Sequence, residues 1–218
     1  MTKAKQPQSA HLQRQREKIL SVVGRLFWEK GYLATSVDEI ADVAKVNKAS
    51  IYYYFPNKAA ILYEIALMTM RALIDQAVSI VDSNLEIERK IEAFVSNHVR
   101  FSLNHLGFSG IGQMERRNLP PKLLRTYVSL RDEYEGIFRK MLEEGMEQGR
   151  FRLKSSKLTS LFILGFLNSF FQWFRPTGKL SSEEIASEAC VFISNALIPE
   201  VLRIEGKGRQ DKVLKATH

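Results

Sequence analysis

The stretch that decides the fold is residues 35–58, which reads TSVDEIADVAKVNKASIYYYFPNK. Ser36 and Glu39 stand three apart before an apolar run, the pattern of a capping box, so a helix is predicted to begin here. This helix is about two turns long. Its predicted buried positions are Val37, Ile40, Ala41 and Ala44. A short polar turn at 46–47 follows, and a second short helix over 48–55 must stop before Pro56.

Two short helices joined by a tight turn form the helix-turn-helix layout, in which the second helix lies in the DNA major groove. Ile51 and Phe55, four residues apart, are predicted to anchor that helix. Serine and tyrosine hydroxyls bond phosphate oxygens, a small alanine allows close approach to a base, and lysine bonds guanine or phosphate. The candidate DNA-binding residues on this helix are therefore Lys48, Ala49, Ser50, Tyr52 and Tyr53. The alternative for Tyr53 or Tyr54 is packing against a neighbouring helix.

Three segments carry a family resemblance: FWEKGY at 27–32, TSVDEIA at 35–41 and SIYYYFPNK at 50–58. Over about residues 15–62 the chain resembles the TetR/AcrR family of bacterial transcriptional regulators. The resemblance implies phosphate contacts from Ser36, Tyr53 and Lys58. It implies base reading by Lys48, Ala49 and Tyr52. Because a carboxylate at the start of the first short helix repels phosphate, Asp38 and Glu39 are interpreted as helix caps.

The whole chain is predicted to be all-α, with about nine helices, because apolar residues recur at helical spacing and no segment alternates as a strand does. Beyond the helix-turn-helix, the stretch Gly107 to Gly112 is predicted to be a non-helical segment that ends the helix at 86–106. The predicted helices outside residues 35–55 cover residues 12–30, 58–81, 86–106, 120–148 and 157–174, with a last helix capped at 181–184.

The net charge of +8 is unevenly placed. Residues 1–58 have a surplus of five positive charges, residues 59–202 are neutral, and residues 203–218 have a surplus of three. A basic module favours a polyanionic partner such as nucleic acid. The predicted domains are a basic arm with the helix-turn-helix at 1–58, a helical effector-binding and dimerisation domain at 59–203, and a basic tail at 204–218. Lys3, Lys5 and Arg14 are candidates for an arm that touches DNA, with a solubilising tail as the alternative.

The cellular setting follows from two features. The single cysteine, Cys190, cannot form an intramolecular disulfide, and the polar N-terminus lacks the apolar core of a signal peptide. A cytoplasmic protein is therefore expected. The apolar segment 158–174 is too short and too polar for a membrane span.

A homodimer is predicted from the reading of DNA, because two recognition helices must enter successive major grooves about 34–36 Å apart. The expected operator is an inverted repeat. The apolar helices at 157–174 and after 181 are predicted to form a four-helix contact between subunits. The candidate interface residues are Phe162, Gly165, Ser169, Ala189, Phe192, Ile193 and Ala196, with ordinary packing as the alternative for the small ones.

A small-molecule effector is predicted in the larger domain, where aromatic and polar residues occur together. The candidate effector-binding residues are Phe108, Gln113, Met114, Arg117, Asn168, Gln172, Trp173 and Arg175. The arginines suit an anionic head group, while plain core packing and exposed charges are the alternatives. Residues 173–176 and 181–185 are similar to regulators that sense acyl-coenzyme A thioesters, and any hydrophobic effector fits the composition equally well.

The predicted function is thus a repressor that binds DNA as a dimer and is released by an effector. The sequence contains no phosphate-binding glycine loop and no nucleophile motif, so neither an enzyme nor a resident cofactor or metal is expected. His98 and His105, seven apart, lack a companion ligand. A helical protein that binds a membrane surface is the alternative, since the net charge also suits anionic lipid.

Overall fold

The computed structural model describes residues 6–197, with side chains from Leu12 onward. Within that range the secondary structure is helical and contains no strand, which confirms the all-α prediction. The helices are α1 Gln6–Lys30, α2 Val37–Ala44, α3 Lys48–Tyr54, α4 Lys58–Val81, α5 Ile87–Asn104, α6 Leu106–Met114, α7 Pro121–Glu147, α8 Ser156–Leu167, α9 Phe170–Trp173 and α10 Ser182–Leu197, with a 3-10 turn at Arg116–Asn118.

The described chain forms two compact units. The first contains the described residues up to Leu73 together with Phe101–Asp132, and the second contains Ile74–Arg100 together with the residues from Glu133 onward. Helices α4, α5 and α7 each contribute residues to both units. The domain boundary predicted at residue 58 is a functional division and stays a prediction.

The core of the first unit joins α1 to the helix-turn-helix. Leu20, Val23 and Phe27 of α1 are fully buried, as are Ile40 of α2 and, at 1% exposure, Ile51 of α3. Since α2 and α3 are each only about two turns long, they owe their stability to this tertiary packing rather than to helix propensity.

The core of the second unit is built on aromatic stacking between α5 and α7. The ring of Phe94 stacks on Phe138 at 4.4 Å and on Tyr134 at 5.0 Å between centroids. His98 is buried beside them, and its Nδ1 lies 3.0 Å from the Tyr134 hydroxyl. Burial lowers the pKa of His98 to about 4, so the imidazole is neutral and belongs to the core of this unit.

Two predicted helix boundaries are wrong. The stretch 107–112 is helical and lies inside α6, and the break between α5 and α6 falls at His105. The α6 glycines allow close packing: a Cβ added at Gly107 would lie 3.0 Å from the backbone carbonyl of Gly24 on α1, and one added at Gly110 would lie 2.3 Å from the Trp28 ring. Tertiary packing therefore overrides the poor helix propensity of glycine.

The predicted helix over 157–174 is in fact divided into α8 and the single turn α9. The division falls at Asn168 and Ser169, where the Ser169 hydroxyl donates to the Phe166 carbonyl at 2.7 Å. A serine that bonds a backbone carbonyl in this way competes with the regular helical pattern.

The N-terminal arm is also corrected in part. Helix α1 begins at Gln6, six residues before the predicted start at residue 12. Arg14 is therefore helical, as the predicted helix over 12–30 implies, and its contact with DNA stays a prediction. Lys3, Lys5 and the basic tail at 204–218 lie outside the described residues.

Candidate nucleic-acid interface

The start of α2 is fixed by the predicted capping box. The Ser36 Oγ accepts a hydrogen bond from the Glu39 amide at 3.2 Å, and Glu39 Oε2 accepts one from the Ser36 amide at 2.8 Å. The ammonium of Lys30 also donates to Glu39. This ammonium and the Ser36 donors lower the pKa of Glu39 to about 2. Ser36 is exposed, but its hydroxyl is already used by the cap.

The turn between α2 and α3 depends on Lys45, which adopts a left-handed conformation with φ 55°. Its amide lies 3.1 Å from the Asp42 carbonyl and closes α2. Asn47 then caps α3, because its Oδ1 accepts hydrogen bonds from the Ser50 amide at 2.7 Å and the Ser50 hydroxyl at 2.8 Å. The chain becomes extended at Phe55, as the following proline requires.

Helix α3 exposes the side chains that sequence patterning places outward. Ile51 and Phe55 are buried at 1% exposure, whereas Tyr52 is 49% and Tyr53 is 70% exposed. Lys48 and Ala49 are exposed as well. Tyr54 is half-buried, and its ring packs against Tyr53 with 5.2 Å between centroids. The exposed set can reach DNA, and the half-buried Tyr54 supports the helix.

Lys58 lies in a more restricted place than sequence patterning predicts. Its Nζ donates to the backbone carbonyls of Tyr32 and Thr35, each at 2.8 Å, and lies 4.4 Å from the centre of the Tyr32 ring. Burial lowers its pKa, an effect that Glu115 opposes. Because an ammonium has three donors, one N–H remains after these two bonds. Sequence reasoning missed this clamp, since its partners lie more than twenty residues away.

Asp38 does not cap α2, which corrects the prediction for this residue. Its Oδ2 instead accepts a hydrogen bond from Lys48 Nζ at 2.9 Å, across the turn to α3. The pairing raises the pKa of Lys48. The one sequence signal for this contact is the opposite charge of two residues ten apart at the starts of adjacent short helices.

The predicted effector-binding residues fall into two groups. Phe108, Gln113, Met114 and Arg117 belong to the first compact unit, and the remainder belong to the second: Asn168, Gln172, Trp173 and Arg175. Phe108 and Gln113 are half-buried, whereas Met114 and Arg117 are exposed. In the first unit, burial raises the pKa of Tyr127 on α7, and the positive charges of Arg131 and Arg116 oppose that rise.

A cavity of about 400 Å³ lies within the second unit. It brings together Trp173 from the predicted effector set and Ser169, Ala189 and Phe192 from the predicted interface set. Its other lining residues are Phe166, Phe170, Leu180, Glu184, Ile185 and Glu188.

The predicted interface residues divide by burial. Phe162, Gly165, Phe192 and Ala196 are exposed, and Ser169 is half-buried. Ala189 and Ile193, at 3% and 2% exposure, are covered by their own chain. Further exposed apolar residues continue the same two helices: Leu158, Leu161 and Phe166 on α8, and Val191 on α10.

Two groups singled out in the sequence have ordinary roles here. The Cys190 thiol is half-buried, lies 3.4 Å from the Glu92 carbonyl oxygen, and has its pKa raised by burial. His105 is exposed, and its Nδ1 lies 2.9 Å from the carbonyl of Phe101. No helix within residues 6–197 has both the length and the apolar character needed to cross a bilayer.

Comparison with known proteins identifies the family of the chain. Residues 19–65 match the model of bacterial regulatory proteins of the tetR family, and residues 84–197 match the tetracyclin repressor-like C-terminal domain. The chain is 28% identical over 185 residues to the HTH-type transcriptional repressor KstR2 of Rhodococcus jostii, which covers 84% of this chain and 90% of that protein.

Solved structures agree. The TetR family regulator PfmR from Thermus thermophilus superposes with a TM-score of 0.77 at 32% identity, covering 81% of this chain and 97% of its own. AibR in complex with isovaleryl coenzyme A and operator DNA superposes with a TM-score of 0.74 at 22% identity, covering 81% and 96%, and shares the fold. The chain therefore belongs to the TetR family of bacterial regulatory proteins and is a DNA-binding transcriptional regulator.

Proposed function

We propose that this regulator is a cytoplasmic repressor that binds an inverted-repeat operator as a homodimer and is released by a small hydrophobic or amphipathic effector. The observation that carries the proposal is which side chains of α3 are buried and which are exposed. Two buried residues, Ile51 and Phe55, fix the helix, while Tyr52 and Tyr53 project outward. A rigid helix with exposed polar side chains is what a major-groove reader needs.

The DNA contacts divide by chemistry. Lys48, Ala49 and Tyr52 read base edges, because lysine bonds guanine acceptors and a small side chain allows close approach. Phosphates are bound by Tyr53, Ser50, Ser36 and the remaining N–H of Lys58. The two serine hydroxyls serve helix caps, but each oxygen can still accept a hydrogen bond from a water molecule that is bound to DNA.

Dimerisation uses the exposed apolar faces of α8 and α10. Phe162 is 70% and Phe192 62% exposed, and contiguous apolar surface of this kind marks a protein interface. A Cβ added at Gly165 would meet no atom of its own chain within 4 Å, which leaves space for a partner helix. The buried Ala189 and Ile193 support α10 from beneath.

The dimer is tested by Phe162→Glu, which places a charge in the proposed contact. In sedimentation equilibrium the wild type should behave as a dimer and the variant as a monomer with an unchanged helical signal. The control is Leu33→Glu, which alters another exposed apolar residue, 75% exposed, in the first unit. A monomeric wild type, or a Phe162→Glu variant that remains dimeric, would refute this interface.

The effector is proposed to be an amphipathic molecule, and acyl-coenzyme A thioesters are the first class to test. Support comes from AibR, a protein of the same fold in complex with isovaleryl coenzyme A. It also comes from the positive charges of Arg116 and Arg131 that act on Tyr127, since arginines suit an anionic group. The effector acts by binding one conformation better than the other, since only that difference shifts the equilibrium. Helix α4, which contributes to both units, is the proposed link.

The function is tested with a duplex selected from a randomised library by the purified protein. The selected sequences should form an inverted repeat, binding should fall steeply with salt, and an acyl-coenzyme A series should release the duplex. Failure to select any inverted repeat would refute the operator model. Capture of the protein on anionic liposomes, with no preference among DNA sequences, would instead favour a membrane-surface protein.

A further inference from the structure

The first turn of α2 carries two carboxylates with different partners. Glu39 completes the capping box and pairs with Lys30. Among the described residues, the partner of the Asp38 carboxylate is Lys48, the first residue of α3. Asp38 is therefore not needed to start α2, and its contact links the two helices of the DNA-binding motif directly.

We propose that Asp38 is a positioning residue for DNA recognition: its carboxylate holds the Lys48 ammonium at the start of α3 and directs it to base edges rather than to phosphates. The proposal rests on the base-reading role proposed for Lys48. It adds an acidic specificity residue to an interface whose other proposed members are neutral or basic.

The chemistry of an ammonium explains the preference. Lys48 has three N–H donors, one of which is used by Asp38. The other two can reach the O6 and N7 acceptors of guanine, which are neutral. A phosphate at the same place would also approach the Asp38 carboxylate, 2.9 Å from the ammonium, and like charges repel. The pair thus weakens the sequence-independent component of DNA binding more than the specific one.

The pair is also accessible enough to act on DNA. The side chains of Lys48 and Asp38 are 50% and 68% exposed, so neither is locked in the core. The free energy of an exposed ion pair favours the paired Lys48 over a released one by a factor of about 1.4 to 5 in each subunit. Over a dimer, releasing both lysines should therefore strengthen phosphate binding by about 2- to 30-fold.

The experiment compares Asp38→Asn with Asp42→Asn in the full-length protein. Both remove one carboxylate from α2, but among the described residues the Asp42 side chain makes no ion pair. Affinity is measured by fluorescence anisotropy for calf-thymus DNA and for the library-selected duplex, over a range of salt concentrations. Each variant is repeated in a Lys48→Met background, and melting curves confirm the fold. Asp38→Ala is the second variant if Asp38→Asn disturbs the fold.

The expected result is that Asp38→Asn tightens binding to calf-thymus DNA by about 2- to 30-fold. Its salt slope should steepen by about 0.9 for each new phosphate contact. The ratio of specific to non-specific affinity should fall by a similar factor. Asp42→Asn should change it less than twofold, and Lys48→Met should abolish the effect of Asp38→Asn.

Two results would overturn the proposal. Equal effects of Asp38→Asn and Asp42→Asn would mean that only net charge matters. An Asp38→Asn effect that persists with Lys48→Met would mean that the pair is not its cause. The reading role itself is checked separately: if Lys48→Met leaves affinity for the selected duplex unchanged, Lys48 is not a reader, whatever Asp38 does.

Discussion

The crossing of α1 and α6 gives the sharpest test of the packing. A Cβ added at Gly24 would lie 2.7 Å from the backbone oxygen of Gly107 and 3.5 Å from Cε2 of Phe108. Because the nearest atom is backbone, it cannot rotate away as a side chain does. The two helices must separate, and the perturbation is Gly24→Ala.

The expected magnitude is the sum of two opposing effects. Alanine stabilises a helix interior by about 0.5–1 kcal/mol relative to glycine, while overpacking a tight contact costs about 1–3 kcal/mol. A matched control is Gly136→Ala on α7, where an added Cβ has no neighbour within 4 Å. The control should therefore be stabilised by about 0.5–1 kcal/mol. The difference between the two variants, about 1–3 kcal/mol, is the overpacking cost itself.

The assay is urea unfolding of both variants and the wild type, followed by circular dichroism under identical conditions. Gly24→Ala should unfold at a lower urea concentration than Gly136→Ala. If Gly24→Ala is as stabilising as Gly136→Ala, the close approach of α1 and α6 does not exist in solution, and the explanation for a helical α6 fails with it.

Three further outcomes follow from single residues. Lys45→Gly should stabilise the protein by about 1 kcal/mol, because a left-handed conformation costs a non-glycine residue about that much; a lower melting temperature would contradict it. The pKa of His98 is lowered to about 4 in the folded protein, so the unfolded chain takes up a proton first as the pH falls. Lowering the pH from about 6.5 to about 4 should therefore reduce the free energy of unfolding by about 3 kcal/mol. His98→Gln should remove most of that loss and His105→Gln should not, as measured by urea titrations at each pH. Lys58→Met should cost about 1–3 kcal/mol by leaving two carbonyls without their donor; unchanged stability with weaker DNA binding would make it a phosphate contact alone.

Local sequence determined the helix-turn-helix almost completely. The capping box of Ser36 and Glu39, the Asn47 cap and the stop before Pro56 all depend on partners within four residues. Helix α4 likewise runs over Lys58–Val81 as the apolar spacing predicts. These features follow from hydrogen bonds and steric limits that a few neighbouring residues set.

The same reasoning could not distinguish between residues with equal chemistry. Asp38 and Glu39 are adjacent carboxylates, and only the approach of α3 gives one of them a partner in Lys48. On α8 and α10 both sides are apolar, so the sequence could not say that Ile193 faces its own core while Phe192 is exposed. Burial depends on what the other helices cover.

The sequence by itself therefore determined an all-α chain with a helix-turn-helix motif, because periodicity and capping are local properties. The tertiary structure alone decided that the glycines of 107–112 form a helix against α1, and that Lys58 clamps the carbonyls of Tyr32 and Thr35. Both depend on contacts between residues more than twenty positions apart, whose free energy outweighs local propensity and which no short window of sequence contains.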